Sequence, residues 1–552
     1  MTEPGVTTDI VRRDEPRTDR WRDAVVYQVY PRSFADSGGD GVGDLPGIIG
    51  RLDYLGDLGI DAIWLSPIYP SPGLDVGYDV SDHARVDPMF GTEADFDRLI
   101  AEAHRRGLRI ILDLVLNHTS DRHEWFEASR ASRDNPHADW YLWRDPAGVG
   151  PDGQPLPPNN WVSFFGGSAW TWEPRRGQFY LHTFLAEQPD LNWRNPDVEA
   201  AQLAVVQGWL ERGVDGFRLD VFNAYLKHRD LPDNPAREGA TAWARQVHLY
   251  DRDQPDFTEL LARFRAVVDA YPDRFSVGEL FDGGLERAAE LTTPGHLVFD
   301  WDLVTAPWSA DAWKSLMDQR EATFGPDRQP TLVLSNHDQP RHASRLATSA
   351  GTDDVDGIAK AAAILLLALR GMPFLYYGEE LGMVDVAIPH DEIIDPPARI
   401  AGPDFPWWNR DQCRTPMAWT GEPGAGFTTG RPWIRIGKDA RRRNVAAQAE
   451  DEGSVLNTYR RLLTVRREQE PLRRGTYESL DAGAPDVLAW RRATDRSSAV
   501  ILVNFATEER RVVAPWPDAA RAVAGTHLDP PSPDRDGRLL LRPLEGVILV
   551  RA

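Results

Sequence analysis

Eight short apolar runs, separated by stretches of helical periodicity, constrain the fold of this chain more than any other feature. We predict strands at Val25–Val29, Ala62–Leu65, Leu108–Leu116, Val214–Leu219, Phe275–Val277, His296–Phe299, Thr331–Leu334 and Pro373–Tyr377. These runs lack the alternating polar residues of a sheet with one wet face, so both faces should be buried. Between them, segments such as Thr92–Arg106 carry apolar residues at the spacing of an amphipathic helix. This alternation predicts an α/β fold, a closed (β/α)8 TIM barrel.

Two further regions do not follow the barrel pattern. Residues 119–193 come after the third predicted strand, are rich in Pro, Asn, Trp and Gly, and are far longer than an ordinary connection. Near the C-terminus, short strands alternate with turns, as in antiparallel sheets. We therefore predict four regions: an N-terminal arm (1–20), the barrel (21–118 and 194–470), an inserted subdomain (119–193) and a C-terminal antiparallel β-sandwich (471–552).

The composition narrows the class of ligand. A formal net charge of −23 disfavours nucleic acid and anionic membrane surfaces, because both bind basic faces. No apolar run reaches the roughly 20 residues that span a bilayer, and the first residues lack the apolar core of a signal peptide. Cys413 is the single cysteine, which we interpret as a packing residue. We expect a cytoplasmic protein, monomeric or homodimeric, that acts on a small neutral molecule without an organic cofactor.

Three carboxylates follow predicted strands and should meet at one mouth of the barrel: Asp220, Glu279 and Asp338. Clustered carboxylates raise one another's pKa, and a carboxyl group kept protonated near neutral pH is the general acid that cleaves a glycosidic bond. Arg218 lies two residues before Asp220 on the same strand face and would hold it ionised, as a nucleophile requires. Glu279 has apolar sequence neighbours, which favours the acid/base role. The alternative for each residue alone is a buried salt bridge.

Four segments together resemble the signature regions of the alpha-amylase superfamily of glycoside hydrolases. They are Asp113–His118, Gly216–Asp220, Gly278–Glu279 and Asn336–Asp338. The resemblance implies Asp220 as nucleophile, Glu279 as acid/base and Asp338 as stabiliser of the transition state. It also implies that His118, Arg218 and His337 contact the glucose ring next to the cleaved bond.

Further segments are similar to the alpha-glucosidase and oligo-1,6-glucosidase branch: Asp75–Asp79, Gln188–Asn192 and Arg410–Met417. In that branch, Asp75 and Arg414 would clasp the non-reducing glucose beyond its 4-OH and 6-OH, closing the pocket, while Tyr78 stacks on the ring. Val221, directly after the nucleophile, stands at the position that tends to follow linkage choice, valine with α-1,6 activity and threonine with α-1,4 activity. The branch usually has Asn where this chain has Val76.

We therefore expect a retaining, exo-acting α-glucosidase that releases glucose from short α-glucosides, with transglucosylation as a second outcome of the same intermediate. The main alternative is a glucosyl transferase or isomerase of the same superfamily, of the sucrose isomerase or trehalose synthase type. A non-catalytic sugar-binding relative is a remote third. The loop 388–408 should overhang the entrance and set aglycone preference; a solvated surface loop is the alternative.

One acidic loop has the composition of a cation site. Asp36, Asp40, Asp44 and the Val42 carbonyl are spaced to offer several oxygens to structural Ca2+ or Mg2+. The loop is not an EF-hand, because the twelfth position is Gly47. The alternative is a turn held by hydrogen bonds from backbone amides to aspartate side chains.

Overall fold

A computed structural model describes residues 19–402, 409–514 and 520–551, and its centre is a sheet of eight parallel strands. Labelled β1 to β8 in chain order, they are Val26–Val29, Ala62–Leu65, Arg109–Leu114, Gly216–Leu219, Phe275–Glu279, His296–Phe299, Thr331–Val333 and Met372–Tyr376. All eight predicted strands are confirmed, with ends that differ by one or two residues. The predicted N-terminal arm lies almost entirely outside the described residues.

The strands are ordered β6-β5-β4-β3-β2-β1-β8-β7, and β6 and β7 contact each other, which brings the two ends of the sheet together into a barrel. Alternate side chains point inward and outward: Trp64 and Phe374 pack inside the barrel, whereas Ile63 and Leu375 pack against the surrounding helices. Both faces are therefore shielded from water, which is why the strands are predominantly apolar.

The α-helices that surround the barrel and join its parts are Asp19–Asp23, Pro31–Phe34, Leu45–Ile49, Leu52–Leu58, Glu93–Arg105, Pro196–Glu211, Phe257–Asp269, Leu285–Leu291, Asp302–Thr305, Ala310–Phe324, His342–Ala350, Val355–Ala368, Pro396–Ala401, Val445–Glu450, Val455–Glu468 and Glu470–Arg474. The helix predicted at Thr92–Arg106 begins with a reciprocal capping box between Thr92 and Asp95. In the described ranges no helix combines the length and apolarity needed to cross a bilayer.

The segment after β3 builds a small subdomain of its own. It contains the helix Glu124–Ala131 and the short strands Trp143–Arg144, Gly148–Val149, Pro155–Leu156, Trp170–Glu173 and Gln178–Leu181. Its return to the barrel is fixed by a bridge between His118 and Asp190 and by the Lys227 Nζ, which lies 3.0 Å from Asp190 Oδ2. The subdomain thus stands on the C-terminal end of β3, beside the mouth of the barrel.

The C-terminal region contains two antiparallel sheets that share one core, which confirms the predicted sandwich. The larger sheet is formed by Thr476–Leu480, Val487–Ala493, Ser498–Asn504, Gly546–Arg551 and Ala520–Gly525, and the smaller by Arg510–Val513 and Arg538–Leu541. Leu502 and Leu549 of one sheet pack in the same cluster as Val512 and Leu541 of the other. The mouth of the barrel with its carboxylates lies elsewhere, so the sandwich leaves it free.

Candidate active site

A cavity of about 520 Å³ occupies the C-terminal mouth of the barrel. Seven of the predicted site residues line it: Asp75, Tyr78, His118, Asp220, Val221, Glu279 and Asp338. The other three, Arg218, His337 and Arg414, lie behind its wall and are at most 1% exposed. The carboxylates arrive from different strands, because Asp220 follows β4, Glu279 ends β5 and Asp338 follows β7. The active-site edge of a TIM barrel is built in this way.

Arg218 joins the two predicted catalytic acids. Its Nη1 donates to Asp220 Oδ1 at 2.8 Å and to Asp113 Oδ1 at 2.6 Å, and its Nη2 donates to Glu279 Oε2. Both carboxyl groups therefore bind the same guanidinium. Two carboxyl groups held by one guanidinium lie within a few ångströms of each other, as the nucleophile and the acid/base of retaining glycosidases do.

The electrostatics of this pair differ from the sequence expectation. Burial raises the pKa of Asp220 well above its usual range against the opposing charge of Arg218, and burial also raises the pKa of Glu279. Arg218 therefore shares its charge between Asp220 and Glu279. Glu279 has this guanidinium as a neighbour in addition to the apolar residues that adjoin it in sequence. The reason is the register of β4 and β5, which pairs Arg218 with Val277 and aligns the guanidinium with Glu279 two residues later. Burial thus favours the protonated form of both carboxyl groups and opposes the ionising effect of Arg218.

Asp338 is kept ionised by two arginines. Its Oδ1 accepts from Arg414 Nη2 at 2.8 Å and Arg410 Nη1 at 3.1 Å, and its Oδ2 lies 3.1 Å from His337 Nε2. Burial alone would raise the pKa of Asp338, but the charges of Arg410 and Arg414 hold it below its usual range. A carboxylate fixed in the charged form stabilises positive charge that develops nearby.

His337 is a neutral ring that orients its neighbours. Burial lowers the pKa of His337 to about 3, and Gln28 Nε2 donates to Nδ1 at 2.8 Å, which leaves the proton on Nε2, where it donates to the Tyr78 hydroxyl at 2.5 Å. Tyr78 stacks on His337 with ring centroids 5.2 Å apart, and its hydroxyl donates to Asp113 Oδ2 at 3.0 Å. These contacts hold the Tyr78 ring against the cavity as a platform.

Asp75 forms its ion pair with Arg410, whereas Arg414, which the resemblance places with Asp75 around the glucose, lies behind the cavity wall. Arg410 Nη2 donates to Asp75 Oδ1 at 2.7 Å, and its Nε donates to the buried Asp395 Oδ1 at 2.6 Å. The 3-10 helix Arg410–Cys413 presents Arg410 to the cavity, whereas Arg414 Nε donates inward to the His337 carbonyl at 2.8 Å. Both arginines belong to one segment of similarity, so only their tertiary contacts distinguish them.

Two valines next to site residues adopt left-handed backbone. Val221 has φ 38° and ψ 39° and lines the cavity directly after Asp220, and Val76 has φ 51° directly after Asp75. This conformation is unfavourable for β-branched residues and costs on the order of 1–3 kcal/mol. Asn, the usual residue of the branch at position 76, tolerates it. The strain fixes the directions in which Asp75 and Asp220 leave the backbone.

The acidic loop takes the hydrogen-bonded form. Asp36 accepts from the amides of Gly39 and Gly41, and Asp40 Oδ1 accepts from the Val42 amide at 2.9 Å. Both oxygens of Asp44 also accept N–H groups, at residues 37, 38 and 47. Across the part of the chain that the structure describes, no group of three or more His, Cys, Asp and Glu side chains is arranged to hold a metal ion. The loop therefore has the hydrogen bonds of the predicted turn, and a bound Ca2+ or Mg2+ stays a prediction.

The remaining predictions concern the cavity rim. Cys413 is 2% exposed, its thiol donates to the Arg410 carbonyl at 3.1 Å, and burial raises its pKa, which agrees with a packing role. From the loop after β8, Pro397 reaches the cavity, while residues 403–408 lie outside the described part. The described portion of this loop therefore forms part of the entrance.

The comparisons with known proteins agree with this geometry. Residues 28–475 match the family described as alpha amylase, catalytic domain. The chain belongs to this family. A probable alpha-glucosidase of Rhizobium meliloti is 47% identical over 90% of this chain and 91% of its own length, and an oligo-1,6-glucosidase of Heyndrickxia coagulans is 38% identical over 88% and 92%.

Solved structures of similar chains include transferring and isomerising enzymes. An alpha-glucosyl transfer enzyme superposes with a TM-score of 0.88 and 41% identity over 96% of this chain and 99% of its own. The trehalulose synthase of Pseudomonas mesoacidophila superposes with a TM-score of 0.86 and 35% identity over 97% of this chain and 99% of its own. The fold and the whole catalytic domain are thus shared with enzymes that act on glucosides in different ways.

Proposed function

We propose that the protein is a retaining, exo-acting α-glucosidase that removes glucose from the non-reducing ends of short α-glucosides. The observation that carries the proposal is the contact between Asp220 and Glu279 across Arg218, at the base of the cavity. Two carboxyl groups this close to one bond suit double displacement. The relatives named alpha-glucosidase and oligo-1,6-glucosidase support the same activity.

In the first step, Asp220 attacks the anomeric carbon while Glu279 gives its proton to the leaving oxygen. The mechanism requires the proton on Glu279 when the substrate is bound, while the charge of Arg218 stabilises the ionised Asp220. Asp338, held ionised, faces the positive charge that develops on the sugar. The product is a glucosyl ester of Asp220, and the aglycone leaves.

In the second step, Glu279 acts as a base. It takes a proton from water, the water oxygen bonds to the anomeric carbon, and the ester bond to Asp220 breaks with its electrons returning to the carboxylate. The anomeric configuration is therefore retained. When another sugar replaces water, the same step is transglucosylation.

The exo mode is supported by the ion pairs at the inner end of the cavity. Arg410 bridges Asp75 and Asp338, and Gln188 Nε2 donates to Asp75 Oδ2 at 3.2 Å. These side chains would block a sugar chain that extends beyond the non-reducing glucose. Tyr78 and His118 line the same end. One glucose unit fits against this wall, with its hydroxyl groups as hydrogen-bond partners.

A glucosyl-transferring or isomerising activity is the second candidate, because solved structures of both kinds superpose over almost the whole chain. The two candidates share the first step and differ in what resolves the ester. Linkage choice is a further part of this proposal: Val221 lines the cavity beside Asp220 and favours α-1,6 bonds by a bias of ~1–3 kcal/mol.

The decisive experiment compares Asp220→Asn and Glu279→Gln with the natural enzyme on maltose, isomaltose, sucrose and a nitrophenyl α-glucoside. Asp220→Asn should lose activity on all four. Glu279→Gln should lose activity on the sugars but retain ester formation from the nitrophenyl glucoside, whose leaving group needs little acid, and added azide should then trap the glucosyl group. Near-normal turnover by either variant contradicts the proposal. Formation of isomerised disaccharide from sucrose would favour the second candidate.

We also propose a cytoplasmic location, a monomeric or homodimeric state, and small α-glucosides as the sole partners. The single, buried cysteine supports the cytoplasmic location, because disulfides are rare there. The net charge of −23 disfavours nucleic acid as a partner. Cell fractionation and light scattering after size-exclusion chromatography test the location and the oligomeric state.

A further inference from the structure

One side of the cavity is covered by five aromatic side chains that we call the aromatic wall: Phe164, Phe165, Phe184, Trp243 and Phe281. They come from three separate parts of the chain. Three belong to the subdomain after β3, Trp243 begins a 3-10 helix in the connection after β4, and Phe281 follows Glu279 by two residues. The fold therefore assembles rings that are far apart in sequence.

The rings of the wall pack on one another as one surface. Phe164 contacts Phe281 edge to face with centroids 5.0 Å apart, and contacts Trp243 in the same way at 5.3 Å. Phe184 lies 5.4 Å from Phe281 and 5.5 Å from Phe165. Mutual packing fixes the orientation of each ring, so the wall is rigid before any ligand arrives.

The wall begins at the glucose site and extends past the catalytic acids. At its inner end, Phe184 lies 5.4 Å from the His118 ring, and the Arg410 guanidinium lies 5.5 Å from the Phe165 ring. Val221, next to Asp220, belongs to the same apolar cluster. Phe164 and Trp243 both pack on Phe281, two residues after Glu279, with centroids 5.0 Å and 5.3 Å from its ring. Because Glu279 is the proposed acid/base of the leaving oxygen, this part of the wall faces the group that leaves glucose or receives it.

The two sides of this outer region offer different chemistry. Asp385, Asn409 and Gln412 line the cavity from the connection after β8, across the barrel from β4. The five rings carry one polar side-chain atom, Trp243 Nε1, which donates to Asp282 Oδ2 at 3.3 Å. Asp282 also lines the cavity beside the wall, and its Oδ2 is paired with Arg252 Nη2 at 2.8 Å. Asp385, Asn409 and Gln412 therefore lie opposite a surface that is mainly aromatic.

We propose that the aromatic wall binds an aromatic ring carried by the acceptor, so that the enzyme transfers glucose to aryl-substituted alcohols in preference to aliphatic alcohols of the same size. The inference rests on the proposed double displacement. In the transfer step, Glu279 takes the proton of the acceptor hydroxyl, the acceptor oxygen bonds to the anomeric carbon, and the ester bond to Asp220 breaks with its electrons returning to the carboxylate. Edge-to-face contacts with the wall favour the aryl acceptor.

The test is a competition between benzyl alcohol and cyclohexylmethanol, two primary alcohols that differ in the aromaticity of the ring. Maltose serves as the donor, both acceptors are present at equal concentration, and the two α-glucosides are quantified by chromatography. We expect about threefold to tenfold more benzyl glucoside, the selectivity that one or two aromatic contacts provide. Because both acceptors react with the same glucosyl-enzyme, this ratio does not depend on how fast that intermediate forms.

Variants locate the source of the selectivity. Trp243→Leu and Phe164→Leu keep an apolar side chain but remove the ring, and each should reduce the ratio toward one. Trp172→Leu is the matched control, because Trp172 is a half-buried aromatic of the same subdomain in a different cluster, and its ratio should equal that of the natural enzyme. Thermal unfolding confirms that each variant is folded.

Two results would overturn the proposal: equal yields of both glucosides in the natural enzyme, or a preference for benzyl alcohol that both wall variants retain. A failure of the proposed function looks different, because maltose would then be consumed by neither hydrolysis nor transfer. Glucose release with equal transfer to both alcohols refutes the aromatic wall alone.

Discussion

Arg410 provides the sharpest test of the site, because sequence similarity points to Arg414 and the structure to Arg410. Its guanidinium contacts three carboxylates: Nε with Asp395 at 2.6 Å, Nη2 with Asp75 at 2.7 Å and Nη1 with Asp338 at 3.1 Å. Arg410→Lys keeps the charge but replaces the planar fork with a single ammonium, which cannot satisfy all three directions.

The size of the effect follows from these contacts. Each charge-assisted hydrogen bond that the fork makes contributes about 1.5–3 kcal/mol, and we expect one such interaction with a glucose hydroxyl to be lost. This corresponds to a fall in kcat/KM of roughly 10-fold to 150-fold. Unfolding should change less, because the ammonium remains beside Asp395, which is fully buried.

The assay compares nitrophenyl α-glucoside with its 4-deoxy analogue, which lacks the hydroxyl expected to meet Arg410. Arg410→Lys should strongly reduce kcat/KM for the normal substrate and have little effect on the deoxy substrate. Arg414→Lys is the control: Arg414 is 1% exposed behind the wall, so any loss should be equal for both substrates. The reasoning is refuted if the two substrates lose equally with Arg410→Lys, or if Arg414→Lys shows the dependence on the 4-hydroxyl instead.

Three further predictions concern packing, protonation and the acidic loop. A Cβ on Gly278 would lie 2.6 Å from the Phe222 ring, so Gly278→Ala should lower the free energy of unfolding by ~1–3 kcal/mol in urea titrations, whereas Gly56→Ala, in an open helical position, should not destabilise. The profile of kcat/KM against pH should be bell-shaped, and activity should fall as rising pH deprotonates Glu279, whose pKa is raised. Glu279→Gln should abolish this basic limb on the nitrophenyl substrate. A basic limb that persists in the variant would show that another residue is the acid. Because the aspartates of loop 36–44 already accept amide hydrogens, EDTA and millimolar CaCl2 should leave the thermal midpoint unchanged; a clear rise with Ca2+ would show that the loop binds the ion.

The barrel strands and the three predicted catalytic acids can be recognised from short segments of the sequence. The eight strands are predominantly apolar because each is covered on both faces, and that property is visible without knowing which strand is adjacent to which. Asp220, Glu279 and Asp338 follow such strands directly, so the rule that parallel strands end at one mouth already brings them together. The strands Arg510–Val513 and Ala520–Gly525 gave no clear pattern, since they are short and partly exposed.

Only the tertiary structure decided how the acids share their charges and which side chains close the site. The register between β4 and β5 places Arg218 in contact with Glu279 as well as Asp220. The residues next to Glu279 in sequence are apolar and do not indicate this contact. The choice of Arg410 over Arg414 and the assembly of the aromatic wall likewise depend on contacts between segments distant in the chain. Strand periodicity is a short-range property that one segment carries alone, whereas a pKa or a pocket wall is set by whichever charges and rings the fold brings within a few ångströms.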